Sequence, residues 1–495
     1  MWTCAALLLF LAADAAHVQR LLQAGRVEEA SRELRELLAA QPSDPSLLNL
    51  QGILEAQRGN VTAAIASFQR ALAAAPGSAS IHANLARAYQ QAGNSAMALQ
   101  SWRRVAELDS ANREANYQLA FLLLRQGDSA GALNYLSKLD PLAQGTPQAL
   151  AVRVAASPDP AALRMLKNHP ALTEADVTDV LSTLVLGNRD DSAIELIEAL
   201  RERSLAGRSS LETLAFLYER QQRWQDARRS LEQVAQTAGK VDLKLLLALA
   251  RLAYRQGDYQ GTLGYLGQAR QMEPEHAAVH FFFGMTAVAL NLPLEAKKSL
   301  GRAVELDPGN PFHNYAYGAV LAEERDPSQS IPYFEKYVKL RPADVRGRFA
   351  LAVAHFLSNQ FEEAKTRFAT LAGSPETAAG ARYFLGRIAR QENRLDDAER
   401  ELKTSLDLRP GQPDAHAELG QVYTRLRRFE LAEQQLALAL KLDGDHYSAN
   451  VNLLALYQRT KDPRTAQQSL RVEEVKKQRS EKEQALWRTV EIRPY

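Results

Sequence analysis

The sequence predicts an all-α solenoid in which one helical hairpin stacks on the next, and three observations lead to it. Small residues at Gly284, Gly318, Ala352, Gly386 and Gly420 recur at a constant step of 34 residues. Two further columns keep that step: Ala296, Ser330, Ala364, Ala398 and Ala432, then the large apolar Leu300, Phe334, Phe368, Leu402 and Leu436. Within a block the apolar residues return every three or four positions, as in Phe283, Ala287, Leu300, Ala303 and Val304, the period of a helix buried on one face. A repeat of this length marks a stacked array.

Each column has a physical cause. Small residues are expected where the two helices of a hairpin cross closely, because a larger side chain would push the backbones apart; the Phe or Leu column fills the space they frame. Pro308, Pro342 and Pro410 mark block ends, and Asp307-Pro308-Gly309-Asn310 stops a helix, since proline lacks the backbone donor and glycine tolerates the turn.

Taken in order, the chain begins with an apolar run, Ala5 to Ala13, followed by the small-x-small string Ala13-Asp14-Ala15. Residues 1–15 are therefore expected to be a signal peptide cut after Ala15, the competing reading being a first helix of the array. The run is too short to span a bilayer, so no membrane span is expected after cleavage. The expected location is periplasmic or secreted, with cytoplasmic as the alternative. Residues 16–140 read as an N-terminal array of about four repeats, including Gly59, Ala64, Phe68 and Ala71, then Gly93, Ala98 and Trp102. Over 141–173 the pattern fails, with Pro147, Pro158, Pro160 and Pro170 between short apolar runs; this is a degenerate helical pair or a joint, and the alanine content favours the pair. About nine repeats follow over 174–480. The last keeps Leu453, Tyr457, Ala466 and Leu470, and its charge-mixed second helix leads to a cap and tail over 481–495 with Leu486, Trp487, Val490 and Ile492.

The blocks resemble tetratricopeptide repeats. From Pro413 onward, Leu419, Gly420, Tyr423, Phe429, Ala432, Leu436 and Ala439 follow that family's order, while His416 stands where it often has Trp and Gly444 where it has a closing proline. The resemblance covers nearly the whole chain and implies a right-handed superhelical solenoid. It also implies that the first helix of each hairpin lines a concave groove for protein or peptide partners. Carried over unit by unit, the inward-pointing positions are Arg251, Tyr254, Arg255, Phe281, Phe282, Met285, Phe312, Tyr315, Phe349, Phe356, Tyr383, Phe384, Arg387 and Arg390. Aromatics with arginines at their margins make a binding hot spot, the arginines pairing with partner carboxylates. The competing reading places several of these rings in the core between helices. On the groove reading, Phe281, Tyr315 and Phe349 are replaceable by Ala with melting nearly unchanged. The family's clamp for a C-terminal carboxylate is not carried over, because Ala83 and Arg87 fail to complete the position that Asn84 begins.

Composition and motifs exclude other classes. A net charge of +2 over 495 residues gives no field for nucleic acid. At 46% hydrophobic and 24% charged, the chain is of ordered type. Its single cysteine, Cys4, rules out an intrachain disulfide framework. Gly127-Asp128-Ser129-Ala130-Gly131 fits the nucleophile-elbow string, but it falls on a turn between helices. His276 and His280, four apart and near His313, lack a converging third ligand. Asp190 and Asp191 read as a helix start. No enzyme activity, cofactor or metal is therefore expected, and the sequence gives no oligomeric state. The function expected is a non-catalytic scaffold for protein or peptide partners; the alternatives are an exported component of a bacterial envelope assembly or secretion complex, and an enzyme using its arginines on an anionic substrate.

Overall fold

The computed structural model describes residues 15–481 except 171, 238, 240, 324 and 325. The signal peptide assigned to 1–15 thus lies outside the described residues but for Ala15, which is helical, and the tail beyond Glu481 lies outside them as well. Among the described residues every regular element is helical, as the period of the apolar residues required. The chain divides into two compact units, Met1–Gly239 and Lys240–Tyr495.

The N-terminal unit stacks hairpins α1 (15–23) with α2 (Val27–Ala40), α3 (Pro45–Gln57) with α4 (Val61–Ala74), α5 (Ala79–Gln91) with α6 (Ser95–Leu108), and α7 (Arg113–Arg125) with α8 (Ser129–Leu136). Three short helices follow, α9 (Pro141–Gln144), α10 (Pro147–Ala156) and α11 (Pro160–Lys167), then α12 (Glu174–Leu186) with α13 (Asp190–Glu202) and α14 (Arg208–Arg220) with α15 (Trp224–Thr237). In the C-terminal unit the pairs are α16 (Leu243–Arg255) with α17 (Tyr259–Met272), α18 (Ala277–Ala289) with α19 (Pro293–Leu306), and α20 (Pro311–Leu321) with α21 (Ile331–Leu340). They continue as α22 (Val345–Leu357) with α23 (Phe361–Leu371), α24 (Ala378–Gln391) with α25 (Leu395–Leu408), α26 (Pro413–Arg425) with α27 (Phe429–Leu442), and α28 (Tyr447–Thr460) with α29 (Thr465–Glu481).

The repeat is written into the backbone. Left-handed residues close the first helix of a hairpin at Gly25, Gly59, Gly93 and Gly127, and again at Asn359, Asn393, Arg427 and Lys461, each 34 residues from the next. In the N-terminal series glycine adopts φ of +72° to +82° without a Cβ penalty, whereas asparagine, arginine and lysine adopt 57° to 59° in the other. Gly127 and Asn188 are 61 residues apart, seven short of two periods, so the pair between them is shortened. Pro141, Pro147 and Pro160 occupy the first turns of α9, α10 and α11, where a missing N–H costs nothing, while Pro158 and Pro170 lie in the connections between helices.

The small-residue column meets its partner column sixteen residues on. A Cβ on Gly284 would lie 2.5 Å from Leu300 Cγ, on Gly386 2.7 Å from Leu402 Cγ, and on Gly420 2.7 Å from Leu436 Cγ. At the end of the chain one detail differs from the sequence pattern. Leu470 is 74% exposed, while Val472 and Val475 are the residues of α29 that pack inward.

Candidate functional site

The rings assigned to a groove lie on the first helices α16, α18, α20, α22 and α24, and most are interior. Phe281, Phe282, Met285, Tyr315, Phe349, Phe356 and Phe384 are all buried, Phe281 completely. The cause is packing between successive hairpins. Phe384 of α24 stacks nearly parallel on Phe368 of α23, with centroids 4.8 Å apart. It also meets Phe356 at 5.1 Å and Phe349 at 5.9 Å. Tyr315 packs on Tyr337 at 4.9 Å and Phe334 at 5.6 Å. Phe281 lies 5.0 Å from His313. These seven residues are core between hairpins, not the floor of an open groove, and replacing Phe281, Tyr315 and Phe349 by Ala would remove packing rather than leave melting unchanged.

The arginines are engaged as well. Arg387 reaches over Phe356 at 4.8 Å and Tyr383 at 5.5 Å, a cation held on ring faces, and contacts Glu418 of the next hairpin at 3.2 Å. Arg390, buried, donates to the other Glu418 oxygen at 2.7 Å. One carboxylate thus takes both cations, and neither is held out for a partner's acid. Nearby, a hydrogen bond from His446 holds Asp414 below the ordinary carboxylate range.

What stays at the surface is narrower than the sequence suggested. Arg251, Tyr254, Phe312, Tyr383 and Arg387 are half-buried and Arg255 is exposed. Tyr254 packs edge-on against Tyr259 at 5.7 Å, and burial pushes its hydroxyl up to about 12. Phe312 carries the Arg341 guanidinium over its face at 5.2 Å. Burial likewise raises the Tyr383 hydroxyl.

Three of the histidines share a structural role. His280 Nε2 lies 2.9 Å from the Pro274 carbonyl oxygen, His82 Nε2 3.0 Å from that of Pro76, and His416 Nε2 3.1 Å from that of Pro410. Asn116, Asn314 and Asn450 occupy the same repeat position and donate to the carbonyls of Ser110, Pro308 and Gly444. In these six hairpins the position therefore pins the first helix to the turn six residues before it, which accounts for His416 where the family often has Trp. No group of three or more metal-capable side chains occurs among the described residues. The nucleophile-elbow string is a helix cap: Asp128 accepts from the Gly131 N–H at 2.8 Å, and a Cβ on Gly131 would collide with that carboxylate.

Periodicity passed over one feature. A groove of about 900 Å³ runs between α17 and α19, with Phe283 and Ala287 of α18 and Tyr317 of α20 in its lining, and Leu263, Leu290, Leu292 and Leu294 open onto it. The signal was in the turn after α18, where Leu292 stands in place of the polar residue of the other turns.

In comparisons with known proteins, a tetratricopeptide repeat family model matches residues 15–79, 84–147, 247–311, 315–364 and 349–413, and a second model of the same description matches 389–457. Comparison with curated protein sequences finds no match. Among solved structures, the chain is similar to the APC/C hetero-tetramer Cut9-Hcn1, at 16% identity over 87% of this chain and 93% of that one, with a TM-score of 0.41. It is similar to a tetratricopeptide repeat protein from Parabacteroides merdae, at 14% identity over 50% and 98%, with a TM-score of 0.41. It is also similar to yeast Tom70, at 16% identity over 88% and 96%, with a TM-score of 0.34.

Proposed function

Because the chain belongs to the tetratricopeptide repeat family, whose models match well over half of its length, we propose that it is a non-catalytic scaffold that holds a protein or peptide partner on the first-helix face of its C-terminal hairpins. The observation that supports this reading is the partly exposed series Tyr254, Phe312 and Tyr383 with Arg251 and Arg255, set on a backing of buried rings. A packed backing fixes the surface rings in place, so little ordering entropy is lost when a partner lies against them. The enzyme alternative relied on arginines available to an anionic substrate, and Glu418 takes both Arg387 and Arg390.

Affinity capture from the native organism, with the full chain and with a Tyr254→Ala/Arg255→Glu variant as baits, tests the reading. A partner retained by the first bait and lost by the second, with helical content unchanged, is the expected outcome. An identical set of captured proteins on both baits overturns it. The apolar run from Ala5 to Ala13 and the small-x-small string after it favour a second reading, an exported scaffold of an envelope assembly or secretion complex. That reading requires a mature chain beginning at Ala16 in the periplasmic fraction.

A further inference from the structure

The turn between α18 and α19 departs from its counterparts in chemistry though not in geometry. Asn291 adopts the left-handed conformation at φ 57°, as the equivalent residues do elsewhere. The residue after it is polar in the other turns, as at Asn94, Asp258, Gln360 and Arg428, but here it is Leu292; two positions on, where Glu28, Asp191, Glu362 and Glu430 stand, it is Leu294. Leu290, Leu292 and Leu294 are 41%, 44% and 76% exposed. The turn's geometry is met elsewhere by polar residues, so these leucines are not needed to form it, and exposing them costs apolar hydration.

They open onto the groove between α17 and α19 together with Leu263. Leu263 and Arg270 of α17 lie seven residues apart on one helical face, and Gly267 falls between them on that face. A Cβ on Gly267 would meet nothing within 4 Å. Glycine inside a helix costs about 1 kcal/mol against alanine, and here the chain's own packing does not call for it. The glycine leaves room for an outside backbone to come close.

The groove carries more basic than acidic side chains. Arg270, Lys297, Lys298 and Arg302 line it against Glu295 and Glu305. Arg302 bonds to Glu305 and Glu275, and Arg270 lies 5.0 Å over the Phe283 ring. Lys298 stands exposed on α19 one turn from Leu294. The occupant that matches an apolar trough with a basic margin is an amphipathic helix whose leucine-type residues repeat at three and four and whose flanks carry Asp or Glu.

We infer that the groove between α17 and α19 is a docking site for an acidic amphipathic helix of a partner protein. This goes beyond the scaffold reading above. Phe283 and Met285 are two residues apart on α18 and so face nearly opposite ways, and the groove takes the Phe283 side.

The test uses the full chain as bait for a displayed library of helical segments of about 14 residues, roughly four turns, with Leu294→Glu as a parallel bait. Leu294 is 76% exposed, so the variant keeps its fold, which helicity and the denaturation midpoint verify. The expected result is enrichment of segments with apolar residues at three- and four-residue spacing and acidic flanks, on the unsubstituted bait alone. Fluorescence anisotropy of the best segment should then show at least about tenfold weaker binding to Leu294→Glu, and weaker binding to Lys298→Glu, while Tyr254→Ala leaves it unchanged. Enrichment of basic or aperiodic segments overturns the proposal, as does equal enrichment on both baits. So does sedimentation equilibrium showing an unsubstituted oligomer that Leu294→Glu dissociates, since the groove would then hold a second copy.

Discussion

One contact between neighbouring hairpins is made in three chemistries along the chain. The residue three positions before the left-handed turn faces the residue nine positions before the next such turn. In the N-terminal unit the pair is Gln90 and Gln118, an amide hydrogen bond of 2.8 Å, with Gln90 also accepting from Trp102 Nε1 at 3.1 Å. In the C-terminal unit it is Phe356 and Phe384, edge-to-face at 5.1 Å, and then Arg390 and Glu418, an ion pair at 2.7 Å. The spacing of 28 residues is common to all three. Backbone geometry therefore decides which positions meet, and the side chains decide how much free energy the meeting is worth. A net amide bond is worth about 1 kcal/mol, whereas a buried aromatic brings its whole desolvated area.

The sharpest way to break that comparison is to truncate both sides of it. Phe384→Ala removes a ring that contacts Phe349, Phe356, Phe368 and Tyr383; the expected loss is about 3–5 kcal/mol, read as a fall in the urea midpoint of the C-terminal unit. Gln118→Ala should cost about 1 kcal/mol or less in the N-terminal unit. Equal losses at the two positions would mean that the stacked backbone, and not the side-chain pair, carries the coupling.

A smaller effect is expected from His313, buried beside Phe281. Burial holds its pKa below the ordinary value, with His276 adding repulsion and Asp307 opposing both. The unfolded chain protonates this residue near pH 6.5 while the folded chain refuses the proton. Stability is then full above that pH and falls as the pH drops through it toward the lowered folded value. Urea midpoints at successive pH values should show this decline in the unsubstituted chain and a shallower one in His313→Asn. A parallel decline in both would place the acid sensitivity elsewhere.

The framework of the fold was legible because it depends on period and size. Gly284 and Leu300 could be paired from spacing alone, and the Cβ collision at 2.5 Å is the reason for the glycine. The site was less legible. Phe349 and Phe384 occupy positions whose side chains in this family face a groove, but whether a ring reaches solvent depends on the volume of its neighbours, here Phe368 and Phe356, and not on its own phase. The fate of Arg387 and Arg390 turned on a single residue a hairpin away, Glu418, which periodicity does not connect to them. Leu292 and Leu294 were visible in the sequence, yet a search for helical stripes does not weigh turns.

The smallest difference tests whether solvent separates two of the ion pairs that tie neighbouring hairpins. Arg87 and Glu114 have side chains 49% and 42% exposed, whereas Arg390 and Glu418 have 10% and 16%. Salt screens the first pair far more than the second, because counterions reach charges in water and not those enclosed by protein. The ion-pair part of the Arg87→Ala loss should therefore be at most about 1 kcal/mol at low salt, and that part should vanish at roughly 1 M salt, where the Debye length falls to about 3 Å. Some residual loss is expected from the guanidinium's position 5.8 Å over the Trp102 ring, and it should not respond to salt. Glu418→Gln should destabilise the C-terminal unit at both salt concentrations, since Glu418 is the one carboxylate that pairs with Arg390 among the described residues. A Glu418 effect that fades with salt as the Arg87 effect does would show that water reaches both pairs alike.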